Sequence, residues 1–230
     1  MKLSDKLIDL LFTKSHSVIS ISGAGGKTST IKLLAKKLKE RGYSVLVTTT
    51  TKFQGPKQYN WDCDYYYWDE ENILTHDVKP GESVYFAHYD LVDMKKFTSP
   101  RLEILSILVN RFDVTLIEAD GSKMLPLKMH SERDPVIIDE TSATLAIMGA
   151  SALGLNKDNV CFGLDGDGIT DIEFYQYLID QSEGVLKRAK GVKAILINGC
   201  DNVENIDIFK SLHAPCPILL GSILKDEQYV

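Results

Sequence analysis

Residues 17–29 read SVISISGAGGKTS, and this stretch decides the predicted fold. Its β-branched start is typical of a strand, and the glycines that follow indicate a tight loop. Apolar residues then recur at helical spacing from Ile31 to Leu38, and Gly42 is expected to end that helix. A second strand is predicted over 44–50. Strand, glycine loop, helix and strand together indicate a βαβ unit whose strands run parallel.

The alternation of strand and helix patterns extends along the rest of the chain. Short apolar runs typical of buried strands occupy 83–87, 114–117, 143–148, 192–197 and 217–220. Helices are predicted over 171–179 and 182–187, and another is expected to begin at the Ser99-Pro100 pair. We therefore predict an α/β fold of the P-loop NTPase-like type, a mostly parallel sheet with helices on both faces. No linker-like stretch divides residues 1–230, so a single domain is expected.

Composition and charge limit the class of function. The chain has 230 residues, with 26 Lys and Arg against 32 Asp and Glu, which gives a net charge of -6. This balance has the wrong sign for coating nucleic acid or an anionic membrane, so neither is expected as a partner. The start of the sequence lacks the uninterrupted apolar run of a signal peptide, and a cytoplasmic location is expected. The four cysteines are too widely spaced to indicate a zinc site or a disulfide framework.

The setting of the glycines between a strand and a helix predicts a phosphate-binding loop. Its expected ligand-binding residues are Gly23, Ala24, Gly25, Gly26, Lys27, Thr28 and Ser29. Glycines let backbone amides approach phosphate oxygens, and the start of a helix adds unpaired N–H groups and a positive dipole end. Lys27 is expected to neutralise the β/γ-phosphates of ATP or GTP, and Thr28 to bind Mg²⁺ through its hydroxyl. The spacing is the short GxxGKT form, because Ile21 stands where the longer form has glycine.

Further metal-binding candidates follow the buried strand 114–117. Glu118 and Asp120 point the same way at strand spacing. We expect one of them to bind the metal and the other to orient a water molecule or a second substrate. Glu118 is the predicted metal ligand, together with Thr28 and with Thr50, which lies in the threonine run that ends the neighbouring strand. The alternative is that the carboxylates shape a turn and that the threonines merely favour a strand.

Three cationic residues come soon after these carboxylates, namely Lys123, Lys128 and Arg133. A cation beside the γ-phosphate would stabilise the transferring charge or hold an acidic second substrate. We therefore place Lys128 with Lys27, Glu118 and Asp120 among the predicted catalytic residues. The alternative is that these cations form a solvated surface.

Two other patterns leave alternatives open. The segment 198–201 reads NGCD and is similar to the guanine-reading motif of GTPases, so Asn198 and Asp201 are predicted to contact the base. A glycine replaces the lysine of that motif, and both ATP and GTP remain candidates. Residues 54–70 form an aromatic and acidic excursion from the periodic pattern. Its carboxylates repel phosphate, which favours a packed strand or an interaction surface over a base-stacking platform.

Two resemblances extend this interpretation. The segment ISGAGGKTST at 21–30 is similar to the short phosphate loop of Mur-type peptide ligases. The wider set of motifs resembles the YqeC-like family, described as accessory proteins of selenium-dependent hydroxylases. That set comprises the glycine loop, Thr48 to Thr51, the EADGS segment at 118–122, the LPLK segment at 125–128 and the NGCD segment. The resemblance implies a nucleotide-binding protein that assists the maturation of a molybdenum hydroxylase or of its cofactor.

The sequence thus predicts a Mg²⁺-dependent P-loop nucleotide-binding protein that hydrolyses a nucleoside triphosphate. One alternative is an ATP-dependent ligase or kinase that acts on a small acidic acceptor near Lys128. Another is a nucleotide-gated interaction module that docks a partner through its aromatic surface at 65–68.

Overall fold

The computed structural model describes residues 2–54, 61–89, 96–164 and 166–229. The strands are β1 (Ser17–Gly23), β2 (Val45–Thr49), β3 (Phe53–Gln54), β4 (Tyr65–Tyr67), β5 (Ser83–Phe86), β6 (His88–Tyr89), β7 (Lys96–Thr98), β8 (Val114–Glu118), β9 (Leu127–Lys128), β10 (Ala143–Gly149), β11 (Cys161–Phe162), β12 (Val192–Asn198), β13 (Ile218–Ser222) and β14 (Glu227–Tyr229). The α-helices are α1 (Leu3–Leu11), α2 (Lys27–Glu40), α3 (Glu70–Thr75), α4 (Leu102–Leu108), α5 (Lys157–Val160) and α6 (Ile172–Asp180), and 3-10 helices occupy Ala150–Ala152, Cys200–Asn202 and Ile206–Ser211.

A central sheet carries the fold. In the described part of the chain it has nine strands in the order β14-β13-β12-β10-β1-β8-β2-β5-β4. All neighbouring pairs in it run parallel except β13 and β14. Strands β1 and β8 are direct neighbours, with Ile21 opposite Glu118. The carboxyl ends of the central strands therefore meet at one edge, where α/β proteins bind their ligands.

Alternate residues of the central strands pack on opposite faces of the sheet. Ile19 of β1 and Leu116 of β8 share one core with α1 and α2. Val18 and Ile117, their chain neighbours, belong to a core on the other face together with α4. Helix α6 packs on that same face over β10 and β12. The predicted α/β fold, a mostly parallel sheet with helices on both faces, is confirmed.

The first βαβ unit has the buried helix face and the glycine at the helix end that its sequence predicts. The apolar residues of α2 from Ile31 to Leu38 are buried against the sheet. Gly42 follows the helix with a φ of 87°, a left-handed conformation that suits glycine at a helix end. Strands β1 and β2 both run parallel to β8, which lies between them.

Two predicted helices need correction. The helix expected at Ser99-Pro100 begins only at Leu102, because the Ser99 hydroxyl donates a hydrogen bond to the Pro100 carbonyl and does not cap the helix. The segment 182–187 forms turns and no helix. Gly184 lies so close to the preceding helix that a Cβ there would be 2.1 Å from the Leu178 carbonyl oxygen.

Part of the aromatic excursion predicted at 54–70 is described. Its residues 55–60 lie outside the described residues. Trp61 stacks on Tyr85 with ring centroids 5.3 Å apart, and Trp68 packs on Phe97 at 4.5 Å. Strand β4 pairs with β5 and forms one edge of the sheet. These contacts favour the packed strand over the stacking platform.

Among the residues described, no helix combines the length and the apolar character that crossing a bilayer requires.

Candidate functional site

The glycine loop leads directly from β1 into α2. Gly23 has a φ of 89°, and a Cβ on it would lie 2.3 Å from the backbone oxygen of Ile147. Gly26, with a φ of 127°, is the N-cap residue of α2, and no side chain caps this helix. The first amides of α2 are therefore left for a ligand, and the helix dipole favours an anion at this end.

Lys27 is the first residue of α2, and it turns back under the loop. It is only 4% exposed. Its Nζ donates a hydrogen bond of 2.7 Å to the Gly23 carbonyl. The same ammonium lies 3.2 Å from Oδ1 of Asp120 and 3.9 Å from Oε1 of Glu118. Both predicted carboxylates thus face Lys27 beneath the loop.

Glu118 reaches the same helix from the end of β8. The Thr28 hydroxyl donates a 3.3 Å hydrogen bond to Oε2 of Glu118. Glu118 lies on the α2 face because it is two residues from Leu116, which packs there. Burial raises the pKa of Glu118 to about 7, with Lys27 opposing this shift and Asp120 adding to it. These two residues offer a hydroxyl and a carboxylate oxygen, the ligand types that Mg²⁺ prefers.

Asp120 is fully buried and holds several groups of the loop region together. Its Oδ2 accepts a 3.0 Å hydrogen bond from the Gly23 amide and lies 2.7 Å from His130 Nε2 and 3.3 Å from Lys128 Nζ. Burial alone would raise the pKa of Asp120, but Lys27, the His130 hydrogen bond and Lys128 together lower it below its ordinary value. Asp120 therefore acts as an ionised anchor for the loop and for Lys27.

His130 is a site residue that the sequence reasoning left without a role. Its Nδ1 lies 2.8 Å from the Gly184 carbonyl oxygen, and its Nε2 faces Asp120. Each ring nitrogen thus faces an oxygen atom, one of a backbone carbonyl and one of a carboxylate. The one available signal was the spacing of two residues between Lys128 and His130, which places both side chains on the same side of an extended segment.

Lys128 is buried with its ammonium surrounded by oxygen atoms. Its Nζ donates a 2.6 Å hydrogen bond to the Gly121 carbonyl and an ion-paired hydrogen bond to Asp134. We call Lys27, Glu118, Asp120, Lys128 and His130 the charge cluster. Within it Lys128 contacts Asp120 and its side chain has no exposed surface. The position of Lys128 beside a γ-phosphate stays a prediction. In the structure Lys128 forms an ion pair with Asp120 and helps to hold that carboxylate in place.

A cavity of about 1030 Å³ opens above the loop. The predicted site residues that line it are Gly25, Gly26, Lys27, Thr28, Ser29, Glu118 and Asn198. The predicted residues that do not line it are Gly23, Ala24, Thr50, Asp120, Lys128 and Asp201. Residues of the second half of the chain, including Phe162 and Asn202, complete its wall.

The remaining predicted ligands have protein partners. The Thr50 hydroxyl donates a 2.7 Å hydrogen bond to the Val136 carbonyl. Asn198 Nδ2 donates a 2.7 Å hydrogen bond to the Gly25 carbonyl. Asp201 lies 3.5 Å from Lys225. Asn198 thus supports the glycine loop, and its role as a base reader, like that of Asp201, stays a prediction.

Protein side chains alone do not form a metal cage here. In the described ranges no group of three or more His, Cys, Asp or Glu side chains is arranged to hold a metal ion. Mg²⁺ is commonly bound through one or two protein ligands plus phosphate oxygens and water. The pair formed by Thr28 and Glu118 fits that mode of binding.

The sheet, the glycine loop and the adjacent carboxylate define an α/β protein with a P-loop NTPase-like arrangement. Comparison with known proteins identifies a family within this class of α/β proteins. A family model described as YqeC protein matches residues 19–165. A protein of Escherichia coli (strain K12), described as "Uncharacterized protein YqeC", is 32% identical over 213 residues, which cover 86% of this chain and 82% of that protein. The chain belongs to the YqeC family.

Proposed function

We propose that this protein binds a nucleoside triphosphate with Mg²⁺, ATP or GTP, in the cavity above the glycine loop and hydrolyses it. The observation that carries the proposal is the meeting of three side chains at the start of α2. Lys27 lies 3.9 Å from Glu118, and Thr28 lies 3.3 Å from the same carboxylate. A phosphate-binding loop with a neighbouring carboxylate is the arrangement that phosphoryl transfer requires.

Each residue has a distinct role in this proposal. The amides of Gly25 and Gly26 and the start of α2 hold the phosphate oxygens. Lys27 neutralises phosphate charge, while Asp120 fixes the position of its ammonium. Thr28 and Glu118 hold Mg²⁺, which supplies neutralisation of the charge that develops on the phosphate oxygens.

The wider role follows from the family resemblance and belongs to the proposal as well. That resemblance implies an accessory factor for the maturation of a selenium-dependent molybdenum hydroxylase. Nucleotide-dependent capture of a purified hydroxylase of this class would support it. Capture that is equal with and without nucleotide would contradict the coupling.

Isothermal titration calorimetry with Mg-ATP and Mg-GTP tests the nucleotide site. We expect Lys27→Ala to abolish measurable binding, because it removes the buried cation at the phosphate end of the cavity. Lys36→Ala is the matched control, since Lys36 lies on the exposed side of the same helix, with a 67% exposed side chain.

A folding defect must be separated from a binding defect. Lys27→Ala leaves two buried carboxylates with less compensation, so Thr28→Val serves as a second variant that removes only a hydroxyl. Thermal unfolding of each variant shows whether it is folded. Wild-type affinity in both folded variants would refute the proposal.

A further inference from the structure

Two of the cations that line the cavity do not belong to the charge cluster. Lys123 and Arg133 both line the cavity and both are exposed. Within the described ranges neither side chain forms an ion pair or a hydrogen bond, in contrast to Lys27 and Lys128. We call Lys123 and Arg133 the rim.

Each rim residue stands on a braced segment. Arg133 is at the tip of a turn in which the amide and the hydroxyl of Ser131 donate hydrogen bonds of 2.6 and 2.7 Å to Asp134. Arg188 supports the same turn by donating a 2.7 Å hydrogen bond to the Glu132 carbonyl. The backbone that carries the guanidinium is therefore held in place, and its side chain extends from a supported position.

Lys123 is oriented by an aromatic ring. Its Nζ lies 5.0 Å from the centroid of Phe162, which itself lines the cavity. Phe162 is fixed by the parallel pair of β9 and β11, in which it stands opposite Lys128. A cation over an aromatic face is attracted to it, so the ammonium stays at the cavity wall.

The backbone at Lys123 is also unusual. Lys123 and Met124 have φ values of 49° and 65°, two consecutive left-handed residues that are not glycine. Such conformations are unfavourable and cluster at ligand-binding positions. The loop after β8 thus presents Lys123 in a conformation that the chain would otherwise avoid.

From these observations we propose that the rim binds a second, anionic small molecule, a carboxylate or a phosphate ester, in the same cavity as the nucleotide. The inference rests on the proposed function, because the nucleotide would occupy the part of the cavity that Lys27 and Thr28 line. The cavity lies at the upper end of the usual range for small-molecule sites, about 300–1,000 Å³. Arginine offers a planar donor pair that matches both oxyanions, and the rim supplies positive charge in a protein of net charge -6.

The test uses protein saturated with Mg²⁺ and the non-hydrolysable ATP analogue AMPPNP, so that the glycine loop is already occupied. Inorganic phosphate and succinate are then titrated separately and their binding is followed by calorimetry. Binding of phosphate or of succinate tells which oxyanion the rim prefers, and either result supports the site.

The variant Lys123→Gln/Arg133→Gln removes both rim charges while keeping long side chains. We expect oxyanion affinity to fall by about tenfold or more, as charge-assisted hydrogen bonds are lost, with AMPPNP affinity unchanged. The control Lys36→Gln/Lys210→Gln removes the same charge from exposed positions elsewhere and should leave both affinities unchanged.

Three results would overturn the inference: no oxyanion binding to the wild type, undiminished oxyanion binding in the rim variant, or an equal loss of AMPPNP affinity in that variant. The last result would assign the rim to the nucleotide itself. If the wild type binds no AMPPNP, the proposed function fails separately. The oxyanion titrations on ligand-free protein, compared between the rim variant and Lys27→Ala, then decide the rim alone.

Discussion

The charge cluster and the rim differ in how their charged side chains are paired. In the cluster, Lys27, Lys128 and His130 are buried around Asp120 and each has oxygen partners. At the rim, Lys123 and Arg133 are exposed and have no carboxylate partner among the described residues. The cluster satisfies its charges internally, whereas the rim leaves its charges for water or a ligand.

This difference separates two kinds of residue in one site. Buried charges are costly unless they are paired, so the cluster must be complete for the protein to fold well. Exposed charges contribute little to stability, so the stability of the fold does not determine which residues stand at the rim. Substitutions in the cluster should therefore act first on stability, and substitutions at the rim on ligand affinity.

The largest expected effect comes from Asp120→Ala. This change leaves the cations of the cluster without their shared anion, and we expect the free energy of unfolding to fall by about 3–5 kcal/mol. The rim variant Lys123→Gln/Arg133→Gln should change it by less than about 0.5 kcal/mol. Urea unfolding of both proteins measures the contrast. Similar losses in the two variants would erase the distinction between the regions.

A second test measures how tightly the backbone of the glycine loop is packed, by comparing two glycines of similar conformation. Gly23 and Gly42 have nearly equal φ values of 89° and 87°, but only Gly23 has backbone atoms where a Cβ would stand. We expect Gly42→Ala to cost about 1 kcal/mol for the left-handed conformation. Gly23→Ala should cost about 3 kcal/mol, because steric overlap with Ile147 is added. Equal losses in thermal unfolding would show that the loop relaxes freely.

The smallest effect concerns pH at the cluster. With its pKa raised to about 7, Glu118 holds a proton in the ligand-free protein at lower pH and must release it to bind Mg²⁺. Affinity for Mg-nucleotide should therefore fall as pH drops below 7, by up to about tenfold per unit, and be independent of this group above it.

Glu118→Gln provides the matched comparison, because its side chain cannot titrate. Calorimetric titrations at pH 6 and pH 8 should show weaker binding at the lower pH for the wild type and little difference for the variant. A pH dependence of the same size in both proteins would assign the effect to another group.

Much of the fold and three of the five residues of the charge cluster could be predicted from sequence because the signals are local. The glycine loop, Lys27 and Thr28 are consecutive in the chain, and strand spacing places Glu118 and Asp120 on one side. Parallel pairing of β1 and β8 then brings these residues together.

The rest depends on contacts that no local pattern contains. The position of His130 is fixed by the Gly184 carbonyl, 54 residues further along the chain. Lys128 could be predicted as a cation near the site, but its burial against Asp134 follows from the turn at 131–134. Helix propensity likewise could not reveal that the close approach of Gly184 to α6 replaces a helix with turns.

Asn198 connects the glycine loop to the end of β13 through two hydrogen bonds. While its amide nitrogen holds Gly25, its Oδ1 accepts a 2.9 Å hydrogen bond from the backbone amide of Ile223, just beyond β13. Gly26 also packs closely against this side chain, since a Cβ there would lie 2.3 Å from the same nitrogen. The side-chain amide of Asn198 thus connects the two segments. Any displacement of the loop at Gly25 must either strain these two hydrogen bonds or move the end of β13 as well.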